Sequence, residues 1–428
     1  MFHRGATVTA EVTPMRRRIA LLALPLLLAA GTLLAHEGNI PRGIPGFDHV
    51  FVIMMENHSY SQIVGNPNAP FINKYAKQHN TADNYFAIAH PSLTNYLEVV
   101  GGSNFGVLSD NNPSWHNTSC ATNLSTGISN TDNPSSPDIC PITGFGMDAP
   151  TPTLDPTNEN PNGPPLVNID GVQPKIPSAP TVGKTIGDQL VAAGLSWKSY
   201  QESLPPSGAD GVNFADGFFT DSSNIPGAIA GETQTLIKLY AAKHNPFVYF
   251  QSVQEGADPR NSLKNVVGFS GARGLFADLA SGRVPSLAFI APNQCNDQHG
   301  RGNAGPQCDF DPNDNGTQTG LNPALISLGD QTVQTLVEAI HGSPAWRDGR
   351  NAIVVVWDEN DYAPTPITNK VLVIVETNHG DDDDGAVHST QRYTHFSLLK
   401  SLESAFGLPC LNHACDASVH VMSDVFGR

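Results

Sequence analysis

Short apolar runs alternate with amphipathic stretches along the chain. The runs are almost continuously hydrophobic, which is typical of strands covered on both faces of a sheet; they span His49–Met55, Phe247–Val253, Ser286–Pro292, Ala352–Glu359 and Lys370–Thr377. Between the runs, apolar residues recur every three to four positions, which predicts helices, at Phe71–Gln78, Thr185–Ala193, Leu325–Ile340 and Phe396–Phe406. This alternation predicts an α/β fold with a doubly wound, mainly parallel sheet flanked by helices.

One long stretch, residues 103–180, breaks this pattern. It is rich in Asn, Ser, Thr, Gly and Pro and has no sustained hydrophobic periodicity. Loops of this length in compact domains are usually functional or disordered. We interpret the stretch as a loop-rich cap insertion over an active site, and a flexible surface insertion is the alternative.

The N-terminus has the pattern of a secretory signal peptide. Three arginines, Arg16–Arg18, precede the apolar run Ile19–Ala35, which is followed by polar sequence. We therefore predict that residues 1–35 are removed on export to a secreted or periplasmic location, with no stable membrane span afterwards, and that residues 36–428 form a single domain. An uncleaved membrane anchor is the alternative, and Met15 is an alternative start of translation.

Composition narrows the class of partner. The chain of 428 residues has 23 Lys and Arg against 40 Asp and Glu, a formal net charge of −17. Because nucleic-acid affinity comes largely from neutralising phosphates with basic side chains, a nucleic-acid partner is excluded. The 39 glycines and 34 prolines indicate a loop-rich globular protein.

Six cysteines fall into three pairs that are local in sequence. We predict the disulfides Cys120–Cys140, Cys295–Cys308 and Cys410–Cys415, which suit an exported protein. Thiolates bound to a metal are the alternative, although the sequence has no CxxC spacing.

Oxygen-bearing side chains follow two of the predicted strands directly. Glu56 and Asn57 come after the first strand, and Asp358 and Glu359 end a later one. Ligands of open α/β sheets gather at the carboxyl ends of strands, so these groups can provide oxygen ligands to a hard or borderline cation. A solvated surface turn is the alternative at each position.

A hydroxyl and an imidazole fall near the same predicted edge. Ser92 follows Pro91 and opens a predicted helix, where the positive end of the helix favours a phosphate and a nucleophile; a simple N-cap is the alternative. His299 follows the strand that ends near Ile290 and can protonate a leaving alkoxide; an incidental loop histidine is the alternative.

These motifs also carry a family resemblance. Five segments occur in order between Phe47 and Ala414: FDHVFVIMMENHSYSQIVG, AHPSLTNYLEVVGG, IAPNQCNDQHG, SPAWRDGRNAIVVVWDEND and YTHFSLLKSLESAFGLPCLNHA. Together they resemble the secreted phosphoesterase family of bacterial and fungal acid phosphatases and phospholipases C, within the alkaline phosphatase superfamily. The resemblance implies an alkaline-phosphatase-like fold for the predicted sheet.

The resemblance also implies a role for each matching residue. Ser92 is expected to be the nucleophile that forms a phospho-enzyme, and His299 is the candidate acid. One divalent metal ion is expected on Glu56, Asn57, Asp358 and Glu359, with zinc, calcium, magnesium and manganese all compatible with those ligands. Substrate binding is assigned to Asn95, Asp297 and His395.

The expected function is a secreted, metal-dependent phosphoesterase that hydrolyses phosphate monoesters, as acid phosphatases do, through a phosphoserine intermediate. The expected partner is a phosphate ester, a class that includes phospholipid and phosphoinositide headgroups. A phospholipase C that cleaves phosphodiester headgroups is the first alternative. A secreted binding protein that keeps the fold without catalysis is an alternative of another class.

Overall fold

The computed structural model describes residues 1–2, 5, 37–105, 110, 183–204, 239–250, 252–253, 256–301, 304–313, 315–360, 369–379 and 385–427. The predicted signal peptide, the predicted Cys120–Cys140 disulfide and nearly all of the 103–180 insertion lie outside these residues. From Glu37 onward, the described residues belong to one compact unit. Within them, no helix combines the length and the apolar character that crossing a membrane requires.

The regular elements of the described residues are short strands and helices joined by loops. The strands are β1 His49–Met55, β2 Asn80–Ala82, β3 Tyr85–Phe86, β4 Trp197–Gln201, β5 Val266–Gly268, β6 Leu287–Ala291, β7 Asn351–Trp357, β8 Lys370–Val371, β9 Val373–Thr377, β10 His388–Ser389 and β11 Tyr393–Thr394. The α-helices are α1 Tyr60–Ile63, α2 Pro70–Gln78, α3 Ser92–Gly101, α4 Ile186–Ala192, α5 Leu275–Ser281, α6 Pro323–Gly342, α7 Pro344–Arg347 and α8 His395–Phe406. Short 3₁₀ helices cover Ala242–His244, Pro246–Tyr249, Leu263–Asn265, Pro306–Cys308, Gln318–Gly320 and Asn412–Cys415.

A mainly parallel sheet of eight strands organises the described part of the chain, in the order β10-β2-β9-β7-β1-β6-β4-β5. Neighbours from β7 to β5 are parallel, whereas β9 runs antiparallel to both β7 and β2. A smaller sheet has the order β11-β3-β8. Helices pack in two groups, α3 with α4 and α8, and α6 with α2, α5 and α7. The predicted α/β class with a doubly wound, mainly parallel sheet is confirmed.

Strand β1 lies at the centre of this sheet and explains the apolar runs. It pairs in parallel with β6 on one side and with β7 on the other. Its residues from Val50 to Met55 are fully buried, because neighbouring strands cover its edges and packed side chains cover both its faces. A continuous apolar run is therefore required where an alternating pattern would place polar groups in the core.

The prediction of a strand over Phe247–Val253 is wrong. The run begins as the 3₁₀ helix Pro246–Tyr249, and Phe247 stacks on Trp197 with ring centroids 4.3 Å apart. Pro246 fixes the backbone at the start of a helical turn. The run is apolar because it is buried against the sheet, and periodicity alone does not distinguish a short buried helix from a buried strand.

Strand β4, with the sequence WKSYQ, was absent from the predicted elements. Its polar side chains are buried but bonded, since Ser199 Oγ donates to Asn245 Oδ1 at 3.1 Å and Tyr200 OH donates to Asp278 Oδ2 at 2.7 Å. Such bonds remove the cost of burying hydroxyl groups. A polar strand of this kind has no hydrophobic pattern that would reveal it.

A partly buried carboxylate connects two helices to the antiparallel strand β9. Glu376 accepts hydrogen bonds from Tyr75 OH of α2 at 2.5 Å and lies 2.9 Å from Nε2 of His341 of α6. Burial raises the pKa of Glu376, but the hydrogen bonds from His341 and Tyr75 outweigh burial and hold the pKa below its usual value of 4.5.

We expect this carboxylate to contribute to the acid sensitivity of folding. A depressed folded-state pKa stabilises the protein above the unfolded pKa of Glu, and this stabilisation is lost as the pH falls through the lower folded value. Glu376→Gln should therefore reduce the slope of unfolding free energy against pH below about pH 4.5, as measured by denaturant titration. Glu338→Gln, on the exposed surface of α6, controls for the loss of one carboxylate. Equal slopes in the wild type and Glu376→Gln would contradict the assignment.

Candidate active site

Two strand ends bring the predicted acidic residues together. Met55 of β1 is in register with Trp357 of β7, and the amide of Asp358 donates to Met55 O at 2.9 Å. Glu56 and Asp358 consequently emerge side by side. The amide of Asn57 also donates to Asp358 Oδ1 at 3.1 Å. Asn57 adopts a left-handed conformation with φ 53°, which asparagine tolerates better than most residues.

The hydroxyl of Ser92 lies between two of these carboxylates. Its Oγ is 3.1 Å from Glu56 Oε2 and 3.2 Å from Glu359 Oε1, so its single hydrogen can be donated to either. Ser92 is the first residue of α3, and Pro91 occupies the N-cap position. Ser92 is therefore not the N-cap residue of α3, which was the alternative role.

The loop after β6 forms another wall of the site. Its carbonyl at Asp297 accepts the amide of Glu56 at 2.9 Å, and Asp297 Oδ1 accepts the amide of His299 at 2.8 Å. The disulfide Cys295–Cys308 closes this loop. The second disulfide in the described residues, Cys410–Cys415, follows α8; both are pairs that the sequence predicted.

His299 is held at both ring nitrogens. Its Nδ1 lies 2.9 Å from Gly300 O, and its Nε2 lies 3.0 Å from Lys243 Nζ. Burial, together with the charge of Lys243, lowers the pKa of His299 to about 3. In this arrangement the imidazole is neutral, with Nδ1 as the donor to Gly300 and Nε2 as the acceptor from Lys243.

Asn95 and His395, which were predicted to bind substrate, form hydrogen bonds to the acidic segments of the site. The Asn95 amide group donates to Ala89 O at 2.7 Å and to Glu359 Oε2 at 2.9 Å, while its oxygen accepts the amides of Ile88 and Ala89 at 3.0 Å each. His395 Nε2 lies 2.6 Å from Asp358 O. Both side chains are fully buried, and both are hydrogen-bonded to the acidic residues or to their backbone.

Burial and mutual repulsion dominate the electrostatics of the site. Burial raises the pKa of Glu56 well above its usual value and Asp358 raises it further; burial and then Glu359 do the same to the pKa of Asp358. Burial and Glu56 likewise raise the pKa of Asp297. Carboxylates packed this closely without solvent require positive charge nearby if they are to ionise.

The donor atoms fit a metal ion of the predicted kind. Asn57 Oδ1 and Asp358 Oδ2 are both buried and have no hydrogen-bond partner within the described part of the chain. Unpartnered buried oxygens beside Glu56 and Glu359 are suited to a cation that prefers oxygen ligands. A second candidate group consists of Glu56, His244 and His299, whose ligand atoms lie within 4.8 Å of one another.

Several residues of the site were not assigned by sequence reasoning. Tyr96 OH donates to Glu56 Oε1 at 2.6 Å, and His90 Nδ1 lies 2.9 Å from Glu359 Oε2. His244 lies 3.1 Å from Glu56 and stacks on Tyr96 with centroids 5.3 Å apart. Tyr96 and His90 belong to the sequence motif around Ser92, which could have indicated them. Lys243 and His244 do not follow a predicted strand, so no signal in the sequence indicated them.

Comparison with known proteins identifies relatives along most of the chain. The model of a family described as the Phosphoesterase family matches residues 66–308. A phosphatidylinositol-3-phosphatase of Mycobacterium tuberculosis is 23% identical over 422 residues, covering 97% of this chain and 96% of that protein. An acid phosphatase of Aspergillus fumigatus is 21% identical over 374 residues, covering 87% of this chain and 58% of that protein.

Solved structures include distant neighbours as well. A protein in the alkaline phosphatase superfamily from Vibrio parahaemolyticus is 12% identical, with a TM-score of 0.43, covering 89% of this chain and 71% of that one.

We expect Asn95 to be a structural support of the site. Asn95→Ala removes four buried hydrogen bonds and leaves two backbone amides without an acceptor, so the free energy of unfolding should fall by about 3 kcal/mol. Gln331→Ala, which removes an exposed amide on α6, should change it by less than about 0.5 kcal/mol. Denaturant unfolding followed by circular dichroism measures both. A loss in Asn95→Ala no larger than in the control would show that these bonds contribute little.

Proposed function

Since the chain belongs to the Phosphoesterase family and is a hydrolase of phosphoric ester bonds, we propose that it is an exported, metal-dependent phosphomonoesterase that works through a phosphoserine at Ser92. The observation that carries the proposal is the position of the Ser92 hydroxyl, between Glu56 and Glu359 at the first residue of α3. A nucleophile there meets its proton acceptors and the positive end of a helix at the same time.

The metal site that we propose consists of Glu56, Asn57, Asp358 and Glu359. When bound by these oxygens, a divalent cation would lower the pKa of a contacting hydroxyl, stabilise negative charge on phosphoryl oxygens and offset the repulsion among the buried carboxylates. The two unpartnered oxygens described above support this assignment.

The reaction that we propose has two halves. Ser92 Oγ forms a bond to phosphorus as its proton passes to Glu56 or Glu359, and the ester P–O bond breaks. The proton that the carboxylate received from Ser92 passes to the leaving alkoxide through Nε2 of His299, the ring nitrogen that has no hydrogen of its own and accepts from Lys243. Water then attacks the phosphoserine, which releases inorganic phosphate and restores the hydroxyl.

Three hydrogen-bonding side chains hold the acidic residues in position for this reaction. Asn95 fixes Glu359, Tyr96 fixes Glu56, and His395 fixes the backbone of Asp358. Burial and the neighbouring acidic residues raise the pKa of Tyr96 well above its usual range, so it remains a hydrogen-bond donor to Glu56. We propose that Asp297 acts on the substrate side indirectly, by orienting His299 through its amide.

Substrate class and location are parts of the same proposal. Relatives named acid phosphatase favour phosphate monoesters, and the relative matched over almost its whole length is named a phosphatidylinositol-3-phosphatase, which brings phosphoinositide monoesters into the assay. Export is supported by the N-terminal pattern of residues 1–35 and by the disulfides Cys295–Cys308 and Cys410–Cys415.

Ser92→Ala tests the nucleophile. We expect hydrolysis of p-nitrophenyl phosphate to fall at least about 1000-fold, because the attacking oxygen is removed, and acid-quenched wild-type enzyme to have one phosphate on Ser92 by mass spectrometry. Ser327→Ala, a partly buried serine on α6 that bonds Asn68 O, is the matched control and should retain full activity. Turnover by Ser92→Ala near the wild-type rate would refute the role of Ser92.

The same assay distinguishes the candidate substrates. We expect p-nitrophenyl phosphate and phosphatidylinositol 3-phosphate to be hydrolysed faster than p-nitrophenyl phosphorylcholine, a phosphodiester. Preference for the diester would identify a phospholipase C. Absence of turnover with every ester and metal would favour a binding protein on this fold.

Removal of metal tests the cation. Dialysis against a chelator should abolish hydrolysis, and one of zinc, calcium, magnesium or manganese should restore it, with one ion per chain by elemental analysis. Asp358→Asn should lose the ion because it removes a ligand charge. Asp330→Asn, a buried aspartate that accepts the amides of Phe71 and Ile72, should keep it. Equal ion content in the two variants would show that Asp358 is not a ligand of the metal.

A further inference from the structure

We propose that the Lys243 ammonium and the Leu93 backbone amide form an oxyanion subsite beside Ser92, which receives phosphoryl oxygens of the substrate and is occupied by the Asp110 carboxylate until the substrate displaces it. The proposal rests on the proposed role of Ser92 as nucleophile. It adds a substrate-contacting residue, Lys243, and an internal competitor, Asp110.

The two donors converge on one carboxylate. Lys243 Nζ donates to Asp110 Oδ2 at 3.0 Å, and the amide of Leu93 donates to Asp110 Oδ1 at 3.1 Å. Leu93 is the residue after Ser92, in the first turn of α3, where amides without intrahelical acceptors point outward. A carboxylate that bridges a lysine and such an amide has the charge and the spacing of two oxygens of a phosphate.

Lys243 is placed among the reactive groups. Besides Asp110, its ammonium donates to His299 Nε2 at 3.0 Å, and its side chain is only 12% exposed. An ammonium has three hydrogens, and the structure gives two acceptors for them among the described residues. A phosphoryl oxygen next to Ser92 can therefore replace Asp110 or take the remaining hydrogen.

Lys243 also competes with a second metal ion for His299. Glu56, His244 and His299 could group around a cation, but His299 Nδ1 faces Gly300 O and its Nε2 already accepts from Lys243. The Lys243 ammonium therefore supplies a fixed positive charge next to His299, which a metal ion bound by this group would otherwise supply.

Charge balance explains why a further cation is needed. Four carboxylates, those of Glu56, Asp297, Asp358 and Glu359, are almost completely buried around Ser92. A bound phosphate ester brings additional negative charge into the same space. A fixed ammonium reduces this repulsion, which would otherwise oppose phosphate binding.

Asp110 is suited to leave the subsite. Its side chain is 24% exposed, twice the exposure of Lys243, so its carboxylate can return to water when it is displaced. A phosphate monoester has more acceptor oxygens and more charge than a carboxylate, and it makes stronger hydrogen bonds to the same donors.

Binding of inorganic phosphate tests the subsite without requiring turnover. In the full chain with the Ser92→Ala background, calorimetry should show that Lys243→Met weakens phosphate binding by about 10- to 100-fold, while Lys243→Arg recovers most of the loss. Asp110→Asn should tighten binding at least about threefold, because the competing charge is gone. Lys198→Met is the control: Lys198 is a partly buried lysine paired with Asp278, and its loss should leave phosphate affinity unchanged.

Kinetics with Ser92 intact separate this inference from the proposed function. Lys243→Met should lower kcat/KM for p-nitrophenyl phosphate, and Asp110→Asn should lower KM. If the wild type hydrolyses esters but Lys243→Met binds phosphate as the control does, the subsite is refuted and the function stands. If no ester is hydrolysed but the binding shifts occur, the function is refuted, and Lys243 and the Leu93 amide remain a phosphate-binding site without a catalytic role. Weaker phosphate binding by Asp110→Asn would show that Asp110 orients Lys243, which overturns its role as a competitor.

Discussion

The burial of carboxylates side by side at the carboxyl edge of a parallel sheet is the constraint on which the rest of this site depends. The in-register ends of β1 and β7 force Glu56 and Asp358 together, away from water. Such proximity is costly unless hydrogen bonds and positive charge compensate. The neighbouring elements provide both: a hydroxyl at the start of α3, a tyrosine on the same helix, and a lysine in a 3₁₀ helix across the site.

The surrounding side chains act mainly as supports. Asn95 uses its whole amide on the turn before α3 and on Glu359, and His395 reaches the backbone of Asp358 from α8. Because these bonds come from separate elements, the acidic groups cannot relax apart without disturbing several packed layers at once. Rigid placement of this kind is what lets electrostatic groups act without reorganising during a reaction.

The sequence was informative where a residue type and a strand end coincide. Continuous apolar runs predicted β1 and β7, and the polar residues directly after them proved to be neighbours. Other features have no such local sign. Strand β4 is polar and relies on bonds to distant partners, Lys243 lies in a short 3₁₀ helix, and Asp110 falls in a stretch without periodicity. Their contacts join residues that are far apart in sequence, and no local sequence pattern predicts such contacts.

The disulfide Cys295–Cys308 gives the two sides of the site different kinds of support. It closes the loop that carries Asp297 and His299, whereas Glu56 and Asp358 directly follow the paired strands β1 and β7 and are positioned by the sheet. Reduction of this disulfide releases the covalent closure of the loop and leaves the pairing of β1 with β7 intact, so the two sides of the site differ in their sensitivity to a reducing environment.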